Sequence, residues 1–251
     1  MKLLVINPNI SSSVSGLILA EATRSAAPDT ELLMRTAGFG VEYIETRAES
    51  LIAGGAVLEI MAREQHLVDG VVVAAFGDPG MPALKELAGI PVVGITEAAL
   101  HTAALLGGRF SIIAISSRIT AWYRECVERN GLLGRLASIR SLQDELPDIG
   151  TVQEDFSAEL LRLAREVVEK DGANVVILAG APLAGLARGI GDLIPVPVVD
   201  GISAGVRQCE LLVSLAPGTH RAGSFSRPPA KASAGLDPAV AGLLGAVIPA
   251  P

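Results

Sequence analysis

Short apolar runs and longer mixed segments alternate along the chain in a regular order. Residues 3–6 are apolar and stop at Asn7-Pro8-Asn9, and three serines follow. That pattern predicts a buried strand, a turn and a helix N-cap. A helical pattern over 14–26 leads to a strand at 31–36 and then to a long helix over 45–68, which is free of proline but weakened by Gly54-Gly55. A buried strand at 70–75 ends in Phe76-Gly77-Asp78-Pro79-Gly80. A strand at 91–95 runs into a helix over 96–106 that starts at Thr96. After the turn Gly107-Gly108 the order returns. A strand at 110–115 ends in Ser116-Ser117, and a helix over 119–129 is closed by Asn130-Gly131. A strand at 137–140, a helix at 151–170 and a strand at 174–178 lead to Ala179-Gly180-Ala181-Pro182. A strand at 197–199 and a helix at 201–213 complete the pattern.

The two series can be laid on each other. Val71-Val72-Val73 matches Val175-Val176-Ile177, Ile90-Pro91-Val92-Val93 matches Val196-Pro197-Val198-Val199, and Ile6-Asn7 matches Ile115-Ser116, at a nearly constant offset. The predicted fold is α/β: two pseudo-symmetric, parallel-sheet βα half domains, residues 1–107 and 108–213, with a cleft between them. Residues 214–251 form a tail rich in Ala, Gly, Pro and Ser. Within it, 227–231 reads as extended linker and Asp237-Pro238 opens a short helix. The tail either wraps the surface or a partner subunit, or stays disordered.

Composition narrows the class. The chain has 251 residues, 50% hydrophobic and only 3% aromatic, so its core is aliphatic and suits parallel strands covered by helices. A net charge of −7 argues against nucleic acid as a partner. Two cysteines make no disulfide framework. The first apolar run is too short for a signal peptide, and no run reaches membrane-spanning length, so a cytoplasmic location is expected. His66, His101 and His220 are scattered, so no metal site is expected. The glycine-rich fingerprints of nucleotide binding and the Gly-x-Ser-x-Gly elbow are absent, and no cofactor is predicted.

In open α/β sheets ligands bind outside the carboxyl ends of the strands. The predicted cleft is therefore lined by Asn7-Pro8-Asn9, Phe76-Gly77-Asp78-Pro79, Thr96-Glu97, Ser116-Ser117 and Gly180-Ala181-Pro182. Several of these loops open onto helix N-termini, whose free N–H groups favour an anion, so a small carboxylate or a cyclic imide is the expected ligand. The backbone near Asn9, Gly77 and Ala181 is expected to hold it. Asp78 and Glu97 are the candidate acid and base, because a desolvated carboxyl can titrate near neutrality. The same two residues could instead shape a turn and a first helical turn. Asn7, Asn9, Ser116 and Ser117 can donate to a developing oxyanion or cap helices. Tyr43 and Glu45 either close the cleft or lie on the surface.

Phe76-Gly77-Asp78-Pro79-Gly80 after a strand, Asn7-Pro8-Asn9, Gly94-Ile95-Thr96-Glu97-Ala98-Ala99 and Val199-Asp200-Gly201 occur in an order that resembles the hydantoin and allantoin racemase branch of the Asp/Glu racemase superfamily. The resemblance covers residues 1–212. It implies a cofactor-independent isomerase in which two cysteines face each other across the cleft. One thiolate removes the proton next to a carbonyl, and the other thiol returns a proton from the opposite face. A homo-oligomer is expected. Here the chain departs from the pattern: the two cysteine positions are Ala75 and Gly180. Cys126 and Cys209 fall within helices and read as buried structural thiols. The expected activity is thus a racemase or isomerase without the two-thiol mechanism. A decarboxylase or lyase of the same superfamily and a silent binding protein are the alternatives.

Overall fold

The apolar runs become strands and the mixed segments become helices. A computed structural model describes residues 1–143, 148–216, 218, 222–226 and 228–245. The first half runs β1 (Lys2–Asn7), α1 (Ser12–Ser25), β2 (Glu31–Thr36), α2 (Arg47–Glu64), β3 (Gly70–Val73), α3 (Met81–Leu87), β4 (Val92–Gly94) and α4 (Ile95–Leu106). The second runs β5 (Phe110–Ala114), α5 (Thr120–Arg129), β6 (Leu136–Ser141), α6 (Val152–Asp155), α7 (Ser157–Glu169), β7 (Val175–Leu178), α8 (Leu186–Ile190), β8 (Val198–Asp200) and α9 (Gly201–Leu215). Each half forms its own parallel sheet, ordered β2-β1-β3-β4 and β6-β5-β7-β8. The central strands β1, β3, β5 and β7 are buried on both faces, which is why they read as unbroken apolar runs.

The pairing corrects the repeat as read from the sequence. Ile6 pairs with Val73 in one sheet and Ile113 with Leu178 in the other. The counterpart of Ile6 is therefore Ile113 rather than Ile115, and that of Val71 is Val176 rather than Val175. Runs of Val and Ile look alike at any offset, and only the ladder bonds set the register. The amides of Ala74 and Ala179 continue the two ladders identically, to Ile6 O and Ile113 O, so Ala75 and Gly180 occupy equivalent positions. Two helices had no sequence signal: α3 and α8 are too short to show a 3.6-residue stripe. Each follows a left-handed glycine, Gly80 (φ 76°) and Gly185 (φ 83°). The helix expected over 151–170 breaks at Phe156 into α6 and α7. The long helix starts at Arg47, where Thr46 and Glu49 form a capping box.

The last helix of each half crosses to the other. α4 packs against β7 and β8, and α9 packs against β3 and β4. Small residues allow the approach. A Cβ on Gly205 would lie 3.2 Å from Val72, and one on Gly70 would lie 2.7 Å from the Cys209 sulfur. Gln208 of α9 donates to Ala98 O (2.9 Å) and Thr102 Oγ1 (2.8 Å) of α4. Arg188 of α8 donates to the buried Glu21 of α1 at 3.0 Å. In the tail, α10 (Pro238–Leu243) packs against α2 and buries Val240 and Ala241. Arg227 of the expected linker and His220 lie outside the described residues. Among the described residues no helix is long and apolar enough to cross a membrane.

Candidate active site

The loops after β3 and β7 meet at residues that the sequence reading passed over. Trp122 and Tyr123 of α5 reach from the second half onto the first. Gly77 (φ 113°) makes room for the indole: a Cβ there would lie 2.3 Å from it. Tyr123 packs on Phe76 with ring centroids 4.5 Å apart. Its hydroxyl lies 4.0 Å from where a Cβ on Gly180 would be. One buried tyrosine thus spans both loops. The available signal was an aromatic pair in a chain with almost no aromatic residues. Beside it, an ion pair between Arg47 and Glu125 ties the start of α2 to α5, at the edge of a cavity of about 290 Å³ that Gly80 and Trp122 also line.

The two candidate carboxylates have different surroundings. Asp78 sits at a left-handed φ of 48° and accepts from the backbone of Thr96 and Glu97, at 2.9 Å each. These are orphan amides at the start of α4, whose own N-cap, Gly94, has no side chain. Asp78 supplies the missing cap from another element. Burial and then the nearby Glu97 carboxylate raise its pKa to about 7, against the lowering effect of the two amides. Glu97 is engaged elsewhere: it accepts from Gly94 N (3.2 Å) and pairs with Lys85 at 2.6 Å. The helix-capping reading fits Glu97, while Asp78 combines a cap with a pKa raised to about 7.

The remaining expected residues divide in the same way. Asn7 is buried and its Nδ2 donates to Asn9 Oδ1, Ser11 O and Ser15 Oγ, so it builds the loop. Asn9 Oδ1 accepts from both Ser11 N and Asn7 Nδ2, at 2.9 Å each. Ser116 occupies the counterpart position and accepts from Arg118 N at 3.3 Å, while Ser117 is exposed. Pro79, Ala181 and Pro182 are buried. Two expected backbone donors are already used: Asn9 N bonds Asn7 Oδ1 (3.2 Å) and Gly77 N bonds Thr96 Oγ1 (2.6 Å). Asn9 N is thus satisfied within its own loop and Gly77 N by the first turn of α4. Among the described residues, the backbone N–H groups of Ala75, Phe76, Gly180 and Ala181 have no protein acceptor. They form two equivalent pairs of donors, one from each half. Tyr43 is partly buried, and its hydroxyl is fully enclosed.

Cys126 and Cys209 are buried, and burial pushes their thiols up to about 11 and about 12. Among the described residues no cluster of three His, Cys, Asp or Glu side chains is arranged to hold a metal.

This arrangement has close counterparts. Hydantoin racemase from Paenarthrobacter aurescens is 36% identical over 238 residues, covering 92% of this chain and 99% of that one. The structure of allantoin racemase from Klebsiella pneumoniae superposes with a TM-score of 0.90 at 33% identity, covering 96% of this chain and 98% of that one. Allantoin racemase from Pseudomonas fluorescens superposes at 0.86 with 34% identity, covering 94% and 100%. Residues 3–209 match the family described as Asp/Glu/Hydantoin racemase. By sequence, by fold and by the racemases it resembles, the chain is a member of the Asp/Glu/hydantoin racemase family of isomerases.

Proposed function

We propose that this protein is a racemase-type enzyme acting at the carbon next to a carbonyl of a small carboxylate or a hydantoin-type compound, with no thiol in the proton transfer. The observation that carries this reading is the convergence of the Ala75–Phe76 and Gly180–Ala181 loops on Tyr123, with an unused pair of amides on each. Such fixed donors stabilise the oxyanion that forms when the neighbouring C–H bond breaks. In the racemases the chain resembles, thiols would stand at 75 and 180; here Ala and Gly can neither give nor take a proton.

Asp78 is the group suited to act as base. Its pKa of about 7 lets it exist in both protonation states at neutral pH. It would take the proton from carbon, leaving an enolate whose oxygen rests on the backbone amides. Tyr123, buried and with a pKa well above 10, stays a neutral phenol and is the available donor on the Gly180 side. Its O–H bond breaks as the new C–H bond forms. The two groups are unequally matched: return of a proton by Tyr123 leaves a buried phenolate, so that step is slower than return of the proton by Asp78. Exchange of the α-proton with deuterium from solvent should therefore outrun inversion, measured by NMR and polarimetry on the same hydantoin sample. Inversion at the same rate as exchange would point to two equal bases and sink this assignment.

A second reading, ligand binding without turnover, is favoured by one observation: both oxygens of Asp78 already accept backbone hydrogen bonds. Turnover of any hydantoin or small carboxylate that disappears in Asp78→Asn decides for the enzyme.

A further inference from the structure

Among the described residues, one buried side-chain polar atom lacks a hydrogen-bond partner: the hydroxyl of Tyr43. It is not left over from a loose loop. Two residues upstream, Val41 O accepts from Ile10 N at 3.1 Å, which ties this segment to the loop after β1. Downstream, the amides of Glu45 and Thr46 both donate to Glu49 at 2.8 Å and lock the start of α2. The side chain itself packs against the main core. It is near enough to Tyr123 to help raise that residue's pKa, and Tyr123 already spans the two site loops.

A buried hydroxyl without a partner destabilises a folded chain, and a phenylalanine would fill the same space without that penalty. A position held this firmly, with a buried polar atom left without a partner, is what a pre-organised ligand donor requires. We propose that Tyr43 is a substrate-binding residue whose hydroxyl donates to an oxygen of the bound carbonyl compound or carboxylate, beside Tyr123. The inference rests on the ligand class given above. Burial, then Glu45 and Glu49, hold the Tyr43 phenol in its protonated form, so it acts as a donor throughout the neutral range. The hydroxyl would find its partner only when the cleft is filled.

Tyr43→Phe separates this from a structural role, because the two predict opposite signs. The full-length variant without ligand should melt about 2–4 °C higher than the wild type, because an unmet polar group is gone. Calorimetric titration with hydantoin, and separately with malonate, should show about tenfold weaker binding of whichever probe the wild type binds. Hydantoin tests a carbonyl oxygen and malonate a carboxylate. A lower or unchanged melting temperature overturns the proposal, since the hydroxyl would then be satisfied in the empty protein. A higher melting temperature with unchanged affinity overturns it too. If the wild type binds neither probe, the ligand class above fails, and the sign of the melting shift still decides whether Tyr43 carries an unmet donor.

Discussion

In the first half, Asp78 leaves the loop after β3 and reaches the start of α4. In the second, Asp200 stands at the head of α9, accepts from Ser203 N (2.9 Å) and reaches back to Gly185 N (2.7 Å) in the loop after β7. Both halves join the site loop to the last helix through one carboxylate, but that carboxylate is anchored at opposite ends. The ladder makes Gly94 and Asp200 equivalent, since they pair with Val73 and Leu178. Placing the acid on the loop brings it within three residues of the Ala75 position. Placing it on the helix instead bonds it to Gly185 N, five residues past the Gly180 position. A fold that repeats closely can thus carry its acids at unlike places in its two halves.

The change expected to disturb this comparison most is Gly94→Ala. A Cβ at 94 would lie 2.2 Å from the Asp78 carboxyl carbon and expel it from the head of α4. Loss of an N-cap costs about 0.5–2 kcal/mol, and the displaced loop adds to that. A melting temperature several degrees lower and loss of turnover should appear together. Asp200→Ala should cost about as much in cap energy yet leave turnover within a few-fold; a collapse of activity there would show that the asymmetry is not functional.

Asp78→Asn is next. Turnover should fall at least about a hundredfold in a protein that circular dichroism shows to be folded. Full activity in this variant would remove Asp78 from the chemistry.

A smaller effect concerns stability against pH. The folded pKa of Asp78 is raised from 3.8 to about 7, so the folded state binds this proton more tightly than the unfolded state does. The contribution is complete below about pH 4 and is lost as the pH rises to about 7. The stability of the wild type relative to Asp78→Asn should therefore fall over that window in urea titrations. Asp200 is also raised by burial, but it is common to both proteins and cancels. A wild-type stability that rises with pH relative to the variant would mean that Asp78 is held ionised as a simple cap.

The smallest effect is expected from the thiols. Cys126→Ala with Cys209→Ala should leave turnover unchanged and cost only the packing of two buried sulfurs, on the order of 1 kcal/mol each. If the folded double variant loses activity, the thiols take part after all.

Much of the fold was legible because buried parallel strands and helices carry different periods. Strand 31–36 was read to the residue, and the others to within one or two. The register of the repeat was not legible, because Val71, Val175 and Val176 are interchangeable as letters. At the site, Asp78 and Glu97 looked alike, two acids at strand ends. What separates them is Lys85 and the amide of Gly94 on one, and the bare head of α4 on the other. Tyr123 was missed because its role depends on reaching across to Phe76 and Gly180, far away in the chain.

The sequence alone determined the α/β class, the two-half plan and the absence of cysteine at positions 75 and 180. Those are properties of local pattern and residue identity, which period and composition express directly. Only the tertiary structure decided that α4 and α9 exchange halves, that Asp78 caps a helix it does not belong to, and that Tyr43 is buried without a partner. Each of these depends on which atoms fill the space next to a given group, and that is set when distant segments pack together.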